Sequence, residues 1–140
     1  ALDAVREVWP ETKLVSVRLS AVDYLPGGLT AADTAETAQI LATSGVDLID
    51  ISSGGLQAAP IRPYPGYQLP FSEVVKQTAG VPTIAVGMLD TPELAEEAIR
   101  SGRTDLVAIG RGLLRDPYWV LRHARNNDDV PWPRSYGRAR

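Results

Sequence analysis

The sequence predicts an α/β fold with a parallel sheet, and three features of the chain support this prediction. Short apolar segments alternate with segments of helical pattern in the order β-α-β-α-β-α-β-α. Three of the four predicted strands are mostly apolar rather than alternating, which is typical of strands covered on both faces. Each predicted strand is followed by a turn rich in glycine, serine or proline. Four βα units would form half of a (βα)8 barrel, which typically needs about 250 residues.

The predicted strands are β-branched or apolar segments bounded by turn residues, at residues 14–20, 46–51, 82–86 and 105–109. The predicted helices have clear start signals. Thr30 and Asp33 resemble a capping box, with Asp in place of the usual Glu, at the start of a helix over residues 31–43. Proline occupies the first position of the helix over 70–78, and Thr91 caps the helix over 92–100. A last helix is predicted over residues 118–125.

An open doubly wound sheet is the alternative to part of a barrel. The first strand-to-helix turn lacks the G-x-G-x-x-G pattern, which disfavours a dinucleotide-binding sheet. Half a barrel has two unpaired sheet edges and an uncovered apolar interior, so a second half must complete it. The chain opens at Ala1 with what reads as the end of a helix stopped by Pro10. We therefore expect a segment of a longer protein, with a short chain trimmed after synthesis as the alternative.

The composition of the chain limits the classes of binding partner that we expect. The net charge of −3 gives no electrostatic reason to expect nucleic acid. No apolar run approaches the roughly 20 residues that a membrane-spanning helix needs. The absence of cysteine excludes disulfides and thiolate metal sites. These features lead us to expect a cytoplasmic protein that binds neither nucleic acid nor membrane.

Two glycine-containing strand ends predict a phosphate site. Gly87 follows the third predicted strand, and Gly110 and Arg111 follow the fourth. Barrel enzymes often hold phosphate in the loops after strands seven and eight. Glycine lets a phosphate approach the backbone N–H groups, and arginine adds charge-assisted hydrogen bonds. Each glycine could instead simply turn the chain, but the pair, one repeat apart, favours phosphate.

Arg18 is the second candidate, because it interrupts an otherwise apolar strand. A buried cation needs a partner. Arg18 is therefore either an exposed residue on the polar side of its strand or a cation at the barrel mouth. In the second case it would stabilise negative charge on a bound ring or carboxylate.

Taken together, these segments resemble the old yellow enzyme family, and more narrowly its thermophilic-like branch of NADPH-dependent ene reductases. The matching segments are residues 17–20 (VRLS), 45–55 (GVDLIDISSGG), 65–71 (PGYQLPF), 85–87 (AVG), 105–111 (DLVAIGR) and 114–119 (LRDPYW). The resemblance covers nearly the whole chain. It implies an FMN-binding oxidoreductase, with residues 1–140 forming the C-terminal half of a (βα)8 TIM barrel, strands five to eight.

The resemblance also implies roles for individual residues. Arg18 would face the N1/O2 side of the flavin and stabilise its anionic reduced form. Gly87, Gly110 and Arg111 would hold the FMN phosphate, and Ser53 is a weaker candidate for the same anion. NADPH would be the reductant and an activated alkene the substrate.

The end of the chain resembles the family's ending at residues 131–138 (PWPRSYGR). In that branch a C-terminal arginine reaches the neighbouring subunit's active site, which implies that role for Arg138 in a homo-oligomer. The final Ala139 and Arg140 depart from the aromatic ending of the family.

The pair of polar side chains that binds the substrate in this family comes from strand four, which this chain lacks. His123 falls in the last predicted helix, so we assign no catalytic residue to this chain.

Two other functions compete with this interpretation. The chain could be a non-catalytic half-barrel that binds phosphate or self-associates. It could also belong to a flavin-independent barrel enzyme, such as an aldolase or isomerase, with the same phosphate site. No lysine lies at a strand end, which counts against a Schiff-base aldolase.

Overall fold

A computed structural model describes residues 1–125 and 130–139. The chain forms two compact units, Ala1–Ala108 and Ile109–Arg140. The first unit contains the helices α1 (Leu2–Val8), α2 (Ala31–Thr43), α3 (Leu69–Ala79) and α4 (Pro92–Arg100) and the strands β1 (Ser16–Ser20), β2 (Leu48–Ser52), β3 (Thr83–Ala85) and β4 (Leu106–Val107). In the second unit the described elements are α5 (Arg111–Arg115), α6 (Trp119–His123) and a 3-10 helix (Arg134–Ala139).

The first unit has the predicted parallel sheet. Its strand order is β1-β2-β3-β4, and all three neighbouring pairs are parallel. A helix follows each strand in the chain, so the α/β class and the four βα units are confirmed. This is the arrangement of half a (βα)8 barrel. The outer strands of the sheet, β1 and β4, each have a partner on one side only.

The two faces of the sheet differ. On one face, Ile49 and Ile51 are fully buried against Ala38 of α2 and Val75 of α3. The other face presents one residue of each strand in register, namely Arg18, Asp50, Ile84 and Leu106. Leu106 is 49% exposed on this face. In a closed barrel such a row points into the interior, where side chains from other strands fill the space in layers.

The capping signals position the helices as the sequence predicts. Thr30 and Asp33 form both hydrogen bonds of a capping box at the start of α2. The Thr91 hydroxyl accepts the Leu94 N–H at the start of α4, where Pro92 is the first helical residue. Gly80 ends α3 with a φ of +66°. Both α2 and α4 have the bounds predicted from the sequence.

Two aspartates at equivalent places in the repeat secure the starts of neighbouring strands. Asp47 accepts the Val15 N–H at 2.8 Å and pairs with Arg6. Asp105 accepts the Thr83 N–H at 2.9 Å and pairs with Lys76 at 2.9 Å. Partial burial raises the pKa of Asp105, but the bonds from Lys76 and Thr83 outweigh this and lower it.

Asp105→Asn is expected to destabilise the protein at pH 7 and to have little effect at pH 3. The folded-state pKa of Asp105 is lowered, so its stabilisation is present above the unfolded pKa near 4 and is lost as pH falls through the folded value. Because the carboxylate is partly exposed, we expect about 1 kcal/mol at pH 7. Urea unfolding of both proteins at the two pH values measures the difference, and an equal cost at both would contradict this role.

Candidate functional site

A polar network joins the loops that follow β1 and β2. The Ser53 and Tyr24 hydroxyls share a hydrogen bond of 2.8 Å. The amide of Gln68, which is buried just before α3, donates to the Ser53 hydroxyl at 2.7 Å. The edge of the Tyr24 ring also packs against Phe71. Ser53, a candidate phosphate ligand, is therefore held in place from both sides.

The backbone conformation of Gly87 and the atoms packed around it, all in the first unit, favour glycine at this position. Its φ of +110° is a conformation that residues with a Cβ rarely adopt. A Cβ at this position would lie 3.1 Å from the Gln68 Cβ and 3.2 Å from the Gln68 backbone N. The Gly87 carbonyl accepts the Gly66 N–H at 2.7 Å. The turn after β3 is thus packed against the segment that enters α3, which accounts for glycine without a ligand.

Among the described residues, two other than glycine also have positive φ, and both lie in loops that follow strands. Tyr24 and Met88 each have a φ of +59°. Such a conformation is uncommon for residues with large side chains and occurs often at functional sites. Tyr24 keeps it while its hydroxyl is bonded to Ser53, so the loop after β1 has a fixed local geometry.

Gly110 and Arg111 lie together at the start of the second unit. Gly110 has a φ of −83°, which is not restricted to glycine. No atom of its own unit lies within 4 Å of the place where a Cβ would be. Arg111 begins α5 and is exposed, and within the described part of the chain its guanidinium has no hydrogen bond or ion pair. This open backbone beside an unpaired guanidinium has the chemistry that binds a phosphate.

Arg18 lies in the middle of β1 on the face of the sheet that the helices do not cover. Its side chain is 56% exposed, and its Nη1 donates to Asp50 Oδ2 at 2.6 Å. The two residues are register partners on neighbouring strands. Arg18 is thus exposed and has a carboxylate partner within the chain, while its place at the barrel mouth beside a bound ring stays a prediction.

The end of the second unit is held by an aromatic contact. Tyr136 in the 3-10 helix packs edge-on against Tyr118, with ring centroids 5.8 Å apart. A hydrogen bond with Tyr118 raises the pKa of Tyr136. Arg138 follows two residues later and is exposed, without an ion pair to any described residue. His123 ends α6 with its ring against Trp119.

Sequence reasoning missed three residues of these sites, namely Tyr24, Gln68 and Asp50. Tyr24 lies in none of the matching segments, Gln68 lies in the segment 65–71 without an assigned role, and only the folded chain brings the two to Ser53. Asp50 gave a usable signal, because it is a charged residue in an apolar strand, as Arg18 is. Opposite charges at equivalent places in two neighbouring parallel strands predict a cross-strand pair.

A separate cavity of about 310 Å³ lies between the loop before α3 and helix α4. Its lining includes Tyr64, Pro65, Leu69, Leu94 and Glu97. None of the predicted site residues lines it.

No helix in the described ranges, 1–125 and 130–139, is long and apolar enough to cross a membrane.

Two solved structures share this fold. A 2-naphthoyl-CoA reductase in complex with 2-naphthoyl-CoA matches 89% of this chain and 20% of its own, with a TM-score of 0.81 and 23% identity. The 6-hydroxypseudooxynicotine amine oxidase of Pseudomonas geniculata N1 matches 91% of this chain and 20% of its own, with a TM-score of 0.77 and 26% identity. At 23% and 26% sequence identity, these structural similarities support the assignment of the fold alone.

Two relatives found by sequence have a higher identity to this chain than these solved structures. The chain is 46% identical over 140 residues to an NADPH dehydrogenase of Clostridium acetobutylicum and covers 41% of it. It is 50% identical over 124 residues to an NADPH dehydrogenase of Geobacillus thermodenitrificans and covers 36% of it. The chain thus spans about two-fifths of the length of these relatives. The model of the NADH:flavin oxidoreductase / NADH oxidase family matches residues 1–129. The chain therefore belongs to the NADH:flavin oxidoreductase / NADH oxidase family.

Proposed function

We propose that this chain is the phosphate-binding, C-terminal half of an FMN-dependent NADPH dehydrogenase that reduces activated C=C bonds. Family membership supports FMN as the cofactor, and the names of the relatives support NADPH as the reductant. The observation that carries the proposal is that Gly110, which is open around its Cα, lies next to Arg111, which is exposed and has no hydrogen bond or ion pair to a described residue.

The residues present fit the phosphate of FMN. A phosphate needs backbone N–H donors that it can approach and a cation that is not already neutralised. Gly110 offers the first and Arg111 the second. The helix that follows has only five residues, so the guanidinium carries most of the attraction. That Gly87 and Ser53 share in binding the phosphate stays a prediction from the sequence.

When bound, FMN would supply the hydride-transfer chemistry that couples oxidation of NADPH to reduction of the activated alkene. The proposed part of Arg18 is to stabilise the negative charge that the flavin acquires on reduction. Arg111 retains the cofactor. No residue of this chain is assigned to binding the alkene or to donating the proton.

The uncovered face of the sheet supports a second half-barrel as the partner. Within the described first unit, the row that contains Ile84 and the half-exposed Leu106 has no covering layer. The relatives are more than twice as long as this chain, which leaves room for four further βα units. A homo-oligomer in which Arg138 contacts a neighbouring subunit remains the proposal for the end of the chain.

The test is an anaerobic assay of the complete protein reconstituted with FMN. We expect a yellow protein that oxidises NADPH when 2-cyclohexenone is added and forms cyclohexanone in equal amount. A yellow protein that oxidises NADPH only with oxygen would contradict the alkene substrate. A colourless protein that cannot be reconstituted with FMN would instead favour the non-catalytic half-barrel.

A further inference from the structure

The Asp50 carboxylate has one charged partner and one oxygen without any. Its Oδ2 accepts from Arg18 at 2.6 Å, while its Oδ1 is buried and has no hydrogen bond within the described residues. The side chain of Asp50 is only 18% exposed, compared with 56% for Arg18. The carboxylate is therefore the inner member of the pair, and the guanidinium is the member that reaches outward.

The polar residues next along these strands do not compensate Asp50. The Ser20 hydroxyl donates to the Gly54 carbonyl at 2.8 Å, and the Ser52 hydroxyl donates to the Leu19 carbonyl at 3.3 Å. The register partner of Asp50 on β3 is Ile84, which has no polar group in its side chain. Arg18 is thus the only cation that the described structure places against this carboxylate.

We infer that Asp50 tunes the flavin by weakening the positive charge that Arg18 presents to it. The inference rests on the proposed function, because it requires Arg18 to face the flavin. A cation paired with a carboxylate at 2.6 Å exerts a much smaller field at a distance than a lone cation, because the two charges largely cancel. Asp50 also fixes the direction in which the guanidinium points, so it is a positioning residue and not a catalytic one.

Asp50→Asn separates the charge from the geometry. Asparagine has nearly the same shape, and its carbonyl oxygen can still accept from Arg18 Nη1. The negative charge is lost while the guanidinium keeps its partner, so the positive field at the flavin grows. The reduced, negatively charged flavin is then favoured, and the reduction potential rises.

The measurement is the two-electron reduction potential of FMN in the complete protein, determined by equilibration with a reference dye. For Asp50→Asn we expect the equilibrium between oxidised and reduced flavin to shift at least threefold towards the reduced form, or about +14 mV. For Arg18→Gln we expect a shift of at least tenfold in the opposite direction, or about −30 mV. These are shifts in a potential, which a change in protein stability alone would not produce.

Asp47→Asn is the matched control. Asp47 also pairs with an arginine, at 2.8 Å, but it precedes β2 and lies three residues, or about 10 Å along an extended chain, before Asp50. Its substitution removes the same charge and should leave the potential unchanged.

A second variant applies if the Asp50→Asn protein does not retain FMN. Asp50→Thr removes the charge and keeps an acceptor, so it should raise the potential in the same way.

The measured potentials separate a failure of the tuning role of Asp50 from a failure of the proposed function on which that role rests. An unchanged potential in Arg18→Gln would overturn the proposed position of Arg18 beside the flavin, and the inference with it. A lowered potential in Arg18→Gln together with an unchanged or lowered potential in the Asp50 variants would overturn the tuning role alone. A rise in Asp47→Asn equal to that in Asp50→Asn would show a general charge effect and would also overturn it.

Discussion

Arg111→Ala is expected to weaken FMN binding between about tenfold and a hundredfold. Hydrogen bonds to a charged group contribute roughly 1.5–3 kcal/mol, and the guanidinium is proposed to donate such bonds to the phosphate. Within the described structure Arg111 has no other partner, so its removal leaves no unpaired group behind. Fluorescence titration of the apoprotein with FMN gives the dissociation constant.

Riboflavin provides the internal control for Arg111→Ala, because it has the same ring and ribityl chain but no phosphate. Its dissociation constant should be the same in the variant and in the parent protein. Arg115→Ala removes an equal charge at the other end of the same short helix and should not change the affinity for FMN. Equal weakening of FMN and riboflavin would mean that Arg111 does not bind the phosphate.

Gly87→Ala is expected to destabilise the protein by about 2–4 kcal/mol. The positive φ alone costs of order 1–3 kcal/mol for a residue with a Cβ. The added methyl group would also lie 3.1–3.2 Å from the Cβ and backbone N of Gln68, which cannot move away as the end of a flexible side chain could. Thermal unfolding of the variant and parent proteins measures the loss.

Gly55→Ala is the matched control for Gly87→Ala, since Gly55 has a φ of +96° and nothing within 4 Å of the place where a Cβ would be. It should show the cost of the backbone conformation without the crowding. We expect the Gly87 variant to be less stable than the Gly55 variant by at least about 1 kcal/mol. If the two were equally stable, packing against Gln68 would not be the reason for glycine at this position.

The sequence predicts those elements best whose signals are local. The bounds of α2 are predicted correctly because Thr30 and Asp33 are only three residues apart and form both bonds of the capping box. The last strand is predicted over residues 105–109, but only Leu106 and Val107 form it. The Asp105 and Ala108 N–H groups on either side of β4 still donate to the Thr83 and Ala85 carbonyl groups, at 3.1 and 2.9 Å, and β4 has a pairing partner on one side only.

The candidate site depends on contacts that are distant in sequence. The glycine pattern identified Gly87, but its crowding comes from Gln68, nineteen residues earlier, and only the folded turn reveals it. The pairing of Arg18 with Asp50 likewise depends on the register between β1 and β2. A sequence pattern gives the residue types at the strand ends, whereas the register and the packing of the loops determine which side chains meet.

The most direct test of the phosphate assignment is a crystal structure of the complete protein with FMN bound. Phosphate oxygens are expected within about 2.7–3.2 Å of the Gly110 or Arg111 backbone nitrogen and of the Arg111 guanidinium nitrogens. A phosphate held elsewhere, with the Arg111 side chain directed into solvent, would contradict it.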